Sequence, residues 1–410
     1  MGVRMLTRRM DPGTYGGLAL GMTVSTFTGQ IVFAPVSSAA VRYFLPALES
    51  NALSTYMRVT VNLTRNALYL YGLATVCVVL ALLCLHREQI IPMVLAAAMF
   101  GGVSSCNSLV DGIQNVIRCR IIVAWHQGLS QWLRFSLAVA AVSVLGSTSV
   151  HAMSAFAISS LVVFFSQYAF LKRSLAQQHP PSGVNDTRDW PDLRSKMRSY
   201  GMPFAVWGAF TWLQLSSDRW ALETFRSQRE VGMFQVVYQL GYYPLQLISG
   251  LLVSLVTPIL FARAGDGSDS DRVRVSERFA ILLGGTVLVS TLLFTLLAIL
   301  LHDRVFHIMT TEAYASTSNL LPWMVMASGL FATAQIGTLI PMLIGNTRAL
   351  LPPKIGVAIV GVVLNAAGAR YYGIPGVVAS SIIQSGVFLM WVTWISVLQS
   401  RRDVERPLHA

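Results

Sequence analysis

Polar side chains recur at helical spacing inside stretches that are otherwise apolar. Asn107, Asp111, Asn115 and Arg118 follow in steps of 4, 4 and 3, which places them on one face of a helix. Gln127, Gln131 and Arg134 follow in steps of 4 and 3, and Gln235, Gln239, Tyr242 and Gln246 in steps of 4, 3 and 4. Gln30, Ser38 and Arg42 share a face, as do Gln214 and Asp218. An arginine fork stays protonated and matches phosphate oxygens. Amides and aromatic faces, among them Trp125, Trp132, Trp212, Tyr238 and Tyr242, suit a sugar chain. The binding candidates are Gln30, Arg42, Asn107, Arg118, Gln127, Gln131, Arg134, Gln235, Gln239 and Tyr242; Asp111 and Asp218 are candidate carriers of a proton or cation. A purely structural reading competes at each position. Amides also join helices by hydrogen bonds, and Arg118, Asp218 and Arg219 lie near span ends, where charged groups snorkel to the interface.

No pattern for bond-making chemistry accompanies these residues. There is no Gly-rich phosphate loop, zinc motif or nucleophile triad. Cys77, Cys84, Cys106 and Cys119 lack metal-ligand spacing and read as packing residues. The expectation is a protein that is not an enzyme, without cofactor or metal.

The elements that position the polar stripes are set by composition. Of 410 residues, 54% are hydrophobic and 12% charged, whereas a soluble domain carries about 25% charged residues. Lipid must be the solvent for most of this chain. Eleven apolar runs fit a span of about 20 residues: near 17–41, 67–85, 90–113, 125–146, 152–171, 199–217, 232–261, 279–301, 319–345, 352–370 and 374–398. The net charge is +12, and all but three of the 30 cationic side chains are arginine. That charge sets membrane orientation better than it suggests nucleic acid. Counting Lys and Arg in alternate connections gives 20 against 9, which puts the richer set and the C-terminus in the cytoplasm.

The Pro-, Ser- and Asp-rich stretch 172–198 separates five spans from six and reads as a cytoplasmic linker. The implied domains are a transmembrane lobe at 1–171, the linker at 172–198, a second lobe at 199–400 and a tail at 401–410. The halves resemble each other: "DPGTYGGLALGMTV" (11–24) and "SQREVGMFQVVYQL" (227–240) each give a polar turn, a Gly and a long helix. A full span precedes the second turn and almost nothing precedes the first. Helix 1 of a six-plus-six repeat design is therefore expected to be missing or reduced to "MGVRMLTRR": either an in-frame extension of about 20 apolar residues lies upstream, or the protein is a truncated relative.

Three stretches carry a family resemblance. "LTRRMDPGTYG" resembles the first external loop of Wzx-type polysaccharide flippases of the multidrug/oligosaccharidyl-lipid/polysaccharide exporter superfamily. "SSDRWALETFRSQREVGMFQVVYQL" (216–240) is similar to their helix 7 to helix 8 passage. "VVLNAAGARYYGIPGVVASSI" (362–382), with Asn365, Gly373 and Gly376, is similar to their helix 11 to helix 12 passage. The resemblance implies an all-α polytopic protein with two pseudo-symmetric six-helix lobes around a central cavity. It also implies an undecaprenyl-pyrophosphate-linked O-antigen or exopolysaccharide repeat unit as cargo, crossing the inner membrane by alternating access. A polysaccharide polymerase and a chain-length regulator are the implied partners, besides the lipid bilayer. The readings that compete are a drug/cation antiporter of the same superfamily, a membrane-bound polysaccharide polymerase and a non-transporting scaffold.

Overall fold

The structure is a computed structural model that describes residues 2–178, 192–264, 270–343 and 347–404. Every regular element among them is helical, and none is a strand. The α-helices are α1 (Gly2–Thr7), α2 (Pro12–Thr28), α3 (Ala34–Glu49), α4 (Leu53–Cys84), α5 (Ile91–Val116), α6 (Arg120–Leu145), α7 (Ser149–Gln178), α8 (Leu193–Phe225), α9 (Gln228–Val237), α10 (Tyr243–Ala264), α11 (Ser270–Met309), α12 (Leu321–Gly337), α13 (Leu339–Leu343), α14 (Leu351–Tyr372) and α15 (Ile374–Val404). Among the described residues, ten helical stretches are long and apolar enough to cross a bilayer. The eleventh expected span, 199–217, lies in α8. At 33 residues α8 is about 50 Å long, but Lys196, Arg198, Gln214, Asp218, Arg219 and Glu223 make it less apolar than the others.

The chain forms two compact units, Met1–Trp212 and Leu213–Ala410. The division falls inside α8, not at the end of the 172–198 stretch. The middle of that stretch, 179–191, lies outside the described residues; its ends continue α7 and begin α8. The early part of α8 belongs to the first unit because its glycines admit a close approach. A Cβ at Gly208 would sit 1.9 Å from the Gln30 carbonyl oxygen, and one at Gly201 would sit 2.6 Å from that of Pro35. Trp212 Nε1 then donates to the Thr23 carbonyl at 2.7 Å, with its ring edge-on to Phe27.

Within the first unit α5 packs on α2 and α7, and α6 covers α7. Phe44, Tyr56, Leu109, Ile113, Leu193 and Met197 share one buried core. In the second unit α12 is the central helix, with 67% of its apolar stretch buried, packed by α11 and α15.

The two similar turns are helix caps. Asp11 Oδ2 accepts from the Gly13 and Thr14 amides at 2.9 and 3.2 Å, and Pro12 occupies the first turn of α2. Ser227 Oγ accepts from the Glu230 amide at 3.3 Å to start α9. Each capped helix runs into a π-helical turn, Gly29–Phe33 in one unit and Tyr238–Tyr242 in the other. There the Ala34 and Tyr243 amides reach back five residues, to Gly29 and Tyr238. Pro35 and Pro244 follow immediately. A proline ring clashes with the carbonyl four residues earlier, here Ile31 and Leu240, and the wider turn makes room for it.

An arginine before each cap ties it to a neighbouring helix end. Arg226 donates to the Ala369 and Arg370 carbonyls at 2.7 and 3.1 Å, where α14 stops at Gly373 with φ +66°. Arg9 donates to Ser143 Oγ and accepts from Ser147 Oγ, where α6 stops at Gly146 with φ +106°. Only glycine adopts such φ values without strain, and a cation suits the carbonyl-rich end of a helix.

Two substitutions test this framework. Asp11→Ala is expected to cost about 1 kcal/mol and Asp11→Asn much less, read as amide exchange over 13–20 by mass spectrometry. Hydrogen bonding, first from the Thr14 hydroxyl, holds the Asp11 carboxyl below its usual 3.8. The cap is therefore complete above that pH and is lost as pH falls through the lowered value. Gly208→Val is expected to lower the thermal midpoint of purified protein; an unchanged midpoint would refute the close approach of α8.

Candidate functional site

In the second unit the structure buries the pair that sequence reasoning left at a span end. Arg219 is 5% exposed and Asp218 6%. Arg219 Nη1 donates to Asp218 Oδ1 at 2.9 Å and to the Leu215 carbonyl at 2.8 Å, while Nε donates to Gln235 Oε1 at 2.7 Å. The guanidinium lies 4.2 Å over the Tyr238 ring, which stacks on Tyr242 at 4.8 Å. Snorkelling is thus overturned for both residues: α9 and the π turn close over the pair.

Beside it is a small polar cavity lined by Gln214, Leu215, Asp218, Tyr238, Tyr242, Phe331, Asn365, Ser381, Gln384 and Ser385. Its volume is about 30 Å³, room for a water or two and not for a sugar ring. Asn365 Nδ2 donates to Ser217 Oγ at 2.9 Å and Gln384 Nε2 to Asn365 Oδ1 at 3.3 Å, which links α8, α14 and α15. Gln214 and Asp218 share this face, as their spacing suggests.

The stripe 235, 239, 242, 246 does not survive as one face. The π turn inserts a residue's worth of rotation between its members. Gln235 is spent on Arg219, Tyr242 is buried in the aromatic stack, and Gln246 donates to the Ser328 carbonyl at 3.0 Å. Gln239 is half-buried within the turn. A π turn also divides Gln30, half-buried in it, from Arg42, which is exposed on α3.

In the first unit Asp111 is half-buried, and its two oxygens accept from the Gln167 amide of α7 and from Gln127 Nε2 of α6, the latter at 3.3 Å. Asn107 Nδ2 donates to the Ser160 carbonyl at 3.0 Å. Arg118 leaves the stripe. Helix α5 ends at Val116, and Arg118 is exposed with φ +62°, its amide bonded to the Asn115 carbonyl. Arg134 lies 4.9 Å over Phe100 and 5.5 Å over Phe156. Gln131 is exposed and lines an apolar cleft with Gly2, Met5, Trp132, Phe135 and Ser136.

Sequence reasoning missed Arg219, Gln114, Gln167 and Gln384 as site residues. Gln114 stands three residues after Asp111 and its Nε2 donates to the Gln167 carbonyl at 3.2 Å; the i, i+3 step was the available signal. Gln167 was detectable as an amide within an apolar run.

The buried pair yields a double-mutant test. Arg219→Leu strands a buried carboxylate and is expected to cost about 3–5 kcal/mol, whereas Asp218→Asn with Arg219→Leu costs less than the single change. Thermal unfolding of purified protein measures both, and equal losses would mean that the charges are not coupled.

No protein-family model matches the chain, and no curated protein sequence matches it. Solved structures match its fold. A multidrug resistance MATE family transporter of the MOP superfamily, inward-facing, superposes with a TM-score of 0.71 at 14% identity over 99% of this chain and 94% of its own. A Vibrio cholerae MATE transporter gives 0.56 at 12% identity, over 98% of this chain and 97% of its own. The lipid II flippase MurJ, inward closed, gives 0.55 at 12% identity, over 96% and 90%. The two compact helical units described above therefore have the fold of MATE-type membrane transporters, which MurJ shares.

Proposed function

We propose that this protein moves an undecaprenyl-pyrophosphate-linked oligosaccharide repeat unit between the leaflets of the inner membrane by alternating access, for O-antigen or exopolysaccharide synthesis. The C-terminus faces the cytoplasm, and a polysaccharide polymerase and a chain-length regulator act beside it. The fold supports transport, since it is that of solved transporters and of a flippase. The observation that carries the choice of an anionic cargo is Arg134. It is a permanently charged fork within a membrane-spanning helix, resting on the faces of Phe100 and Phe156. Arg42, exposed on α3, supplies a second cationic contact in this reading.

A second reading, export of a cationic drug, draws on Asp111. Its carboxylate accepts from two amides and pairs with no Arg or Lys among the described residues, the group a cationic substrate would seek.

The discriminating experiment uses purified protein in liposomes with a fluorescent pyrophosphate-linked polyprenyl saccharide, its leaflet read by dithionite quenching. The intact protein is expected to accelerate translocation. Arg134→Ala and Arg42→Ala each remove a charge-assisted contact of about 1.5–3 kcal/mol, roughly tenfold to hundredfold in affinity. Arg→Lys keeps part of the activity because the charge persists without the planar fork, and Arg→Glu loses more than Ala. Export of a fluorescent organic cation with no movement of the lipid-linked saccharide would replace this reading with the second.

A further inference from the structure

Helix α5 stops on a backbone that suits glycine, yet the residue there is an arginine. The Arg118 amide reaches back to the Asn115 carbonyl at 3.1 Å and the Cys119 amide to the Gln114 carbonyl at 2.9 Å, with Arg118 at φ +62°. This is the left-handed helix stop that glycine fills without strain. Its flanks turn inward: Ile117 is buried in one core with Leu171 of α7, and Cys119 and Leu175 pack against that core. Arg118 itself is exposed. The turn therefore holds a guanidinium outward.

Three more exposed cations stand beside it. Arg120 opens α6, and Lys172 and Arg173 lie near the end of α7. The two helices run side by side in opposite directions there. His126 Nε2 meets Ser166 Oγ at 3.0 Å, and the His126 ring lies edge-on to Phe170 at 5.4 Å. Arg120 is six residues before His126, and Lys172 and Arg173 are two and three after Phe170, which brings all three to the same end of the pair. Among the described residues no acid pairs with any of the four cations. The next turn is apolar and open: Ile121 and Trp125 are each 76% exposed and Phe170 41%. Arg120 and Lys172 adjoin the apolar runs near 125–146 and 152–171, so the group lies at the bilayer's edge, where lipid phosphates are. A soluble anion would use the cations alone. A phospholipid uses both halves of the surface, because its phosphate pairs with the cations and its chains cover the apolar turn beneath.

We propose that Arg118, Arg120, Lys172 and Arg173 hold the phosphate of an anionic phospholipid whose acyl chains lie on Ile121, Trp125 and Phe170. The proposal concerns the bilayer's own lipid, so it stands or falls apart from the transport reading.

The test is native mass spectrometry of the full-length protein, released from detergent after titration with dioleoylphosphatidylglycerol or dioleoylphosphatidylcholine. The phosphatidylglycerol is expected to bind at roughly tenfold lower concentration. Arg118→Gly and Lys172→Gln should each weaken that binding about fivefold. Thermal unfolding of Arg118→Gly without added lipid should show no loss of Tm, because glycine suits the left-handed turn; should its Tm fall, Lys172→Gln decides by the same measure. Glycerol phosphate at the same concentration should leave the lipid in place. Equal binding of the two lipids, an unchanged preference in Lys172→Gln, or displacement by glycerol phosphate would overturn the site.

Discussion

In a bilayer the backbone has no water to fall back on, so its polar groups must find their partners within the chain. That constraint shapes the caps, the π turns and the helix seams of this structure. Asp11 and Ser227 supply the acceptors that the first amides of α2 and α9 lack. The π turns reroute the backbone bonds that Pro35 and Pro244 interrupt. Serine and threonine hydroxyls return to carbonyls of their own helices, as Ser105 does to Gly101 and Thr291 does to Val287. Where helices meet, side-chain amides bond main chain across the seam.

The same constraint explains the repeat. Each unit has a capped turn, a helix broken by a π turn and proline, and an arginine that fastens the turn to the glycine-stopped end of another helix. The sequence similarity between 11–24 and 227–240 is weak, yet the backbone solves one problem in the same way at both places. Asp11 and Ser227 are different residues that cap equally well, so the repeat persists in geometry after it has faded in composition.

The architecture was legible because it rests on apolar run length and turn chemistry. Eleven spans and no strands follow from such signals, and the described residues bear out the helices. The side-chain sites were less so. Helical spacing assumes an unbroken 3.6-residue period, and the π turn between Gln235 and Gln246 violates it. Arg118 lies two residues beyond the end of α5, where periodicity no longer applies. Arg219 was discounted because its position near a span end looks interfacial on paper. Its burial depends on α9 folding back over it, a long-range fact that no local pattern carries. The division within α8 was hidden for the same reason: Gly201 and Gly208 signal a close approach only once the carbonyls of Pro35 and Gln30 are seen opposite.

The Asp218–Arg219 pair also has an electrical consequence. Joined at 2.9 Å, the two side chains carry no net charge, so any displacement of that buried cluster along the membrane normal does almost no work against the transmembrane potential. By comparison, a single charge carried across the full field exchanges about 2.3 kcal/mol for every 100 mV, so the pairing takes from this cluster the handle by which voltage would act on it.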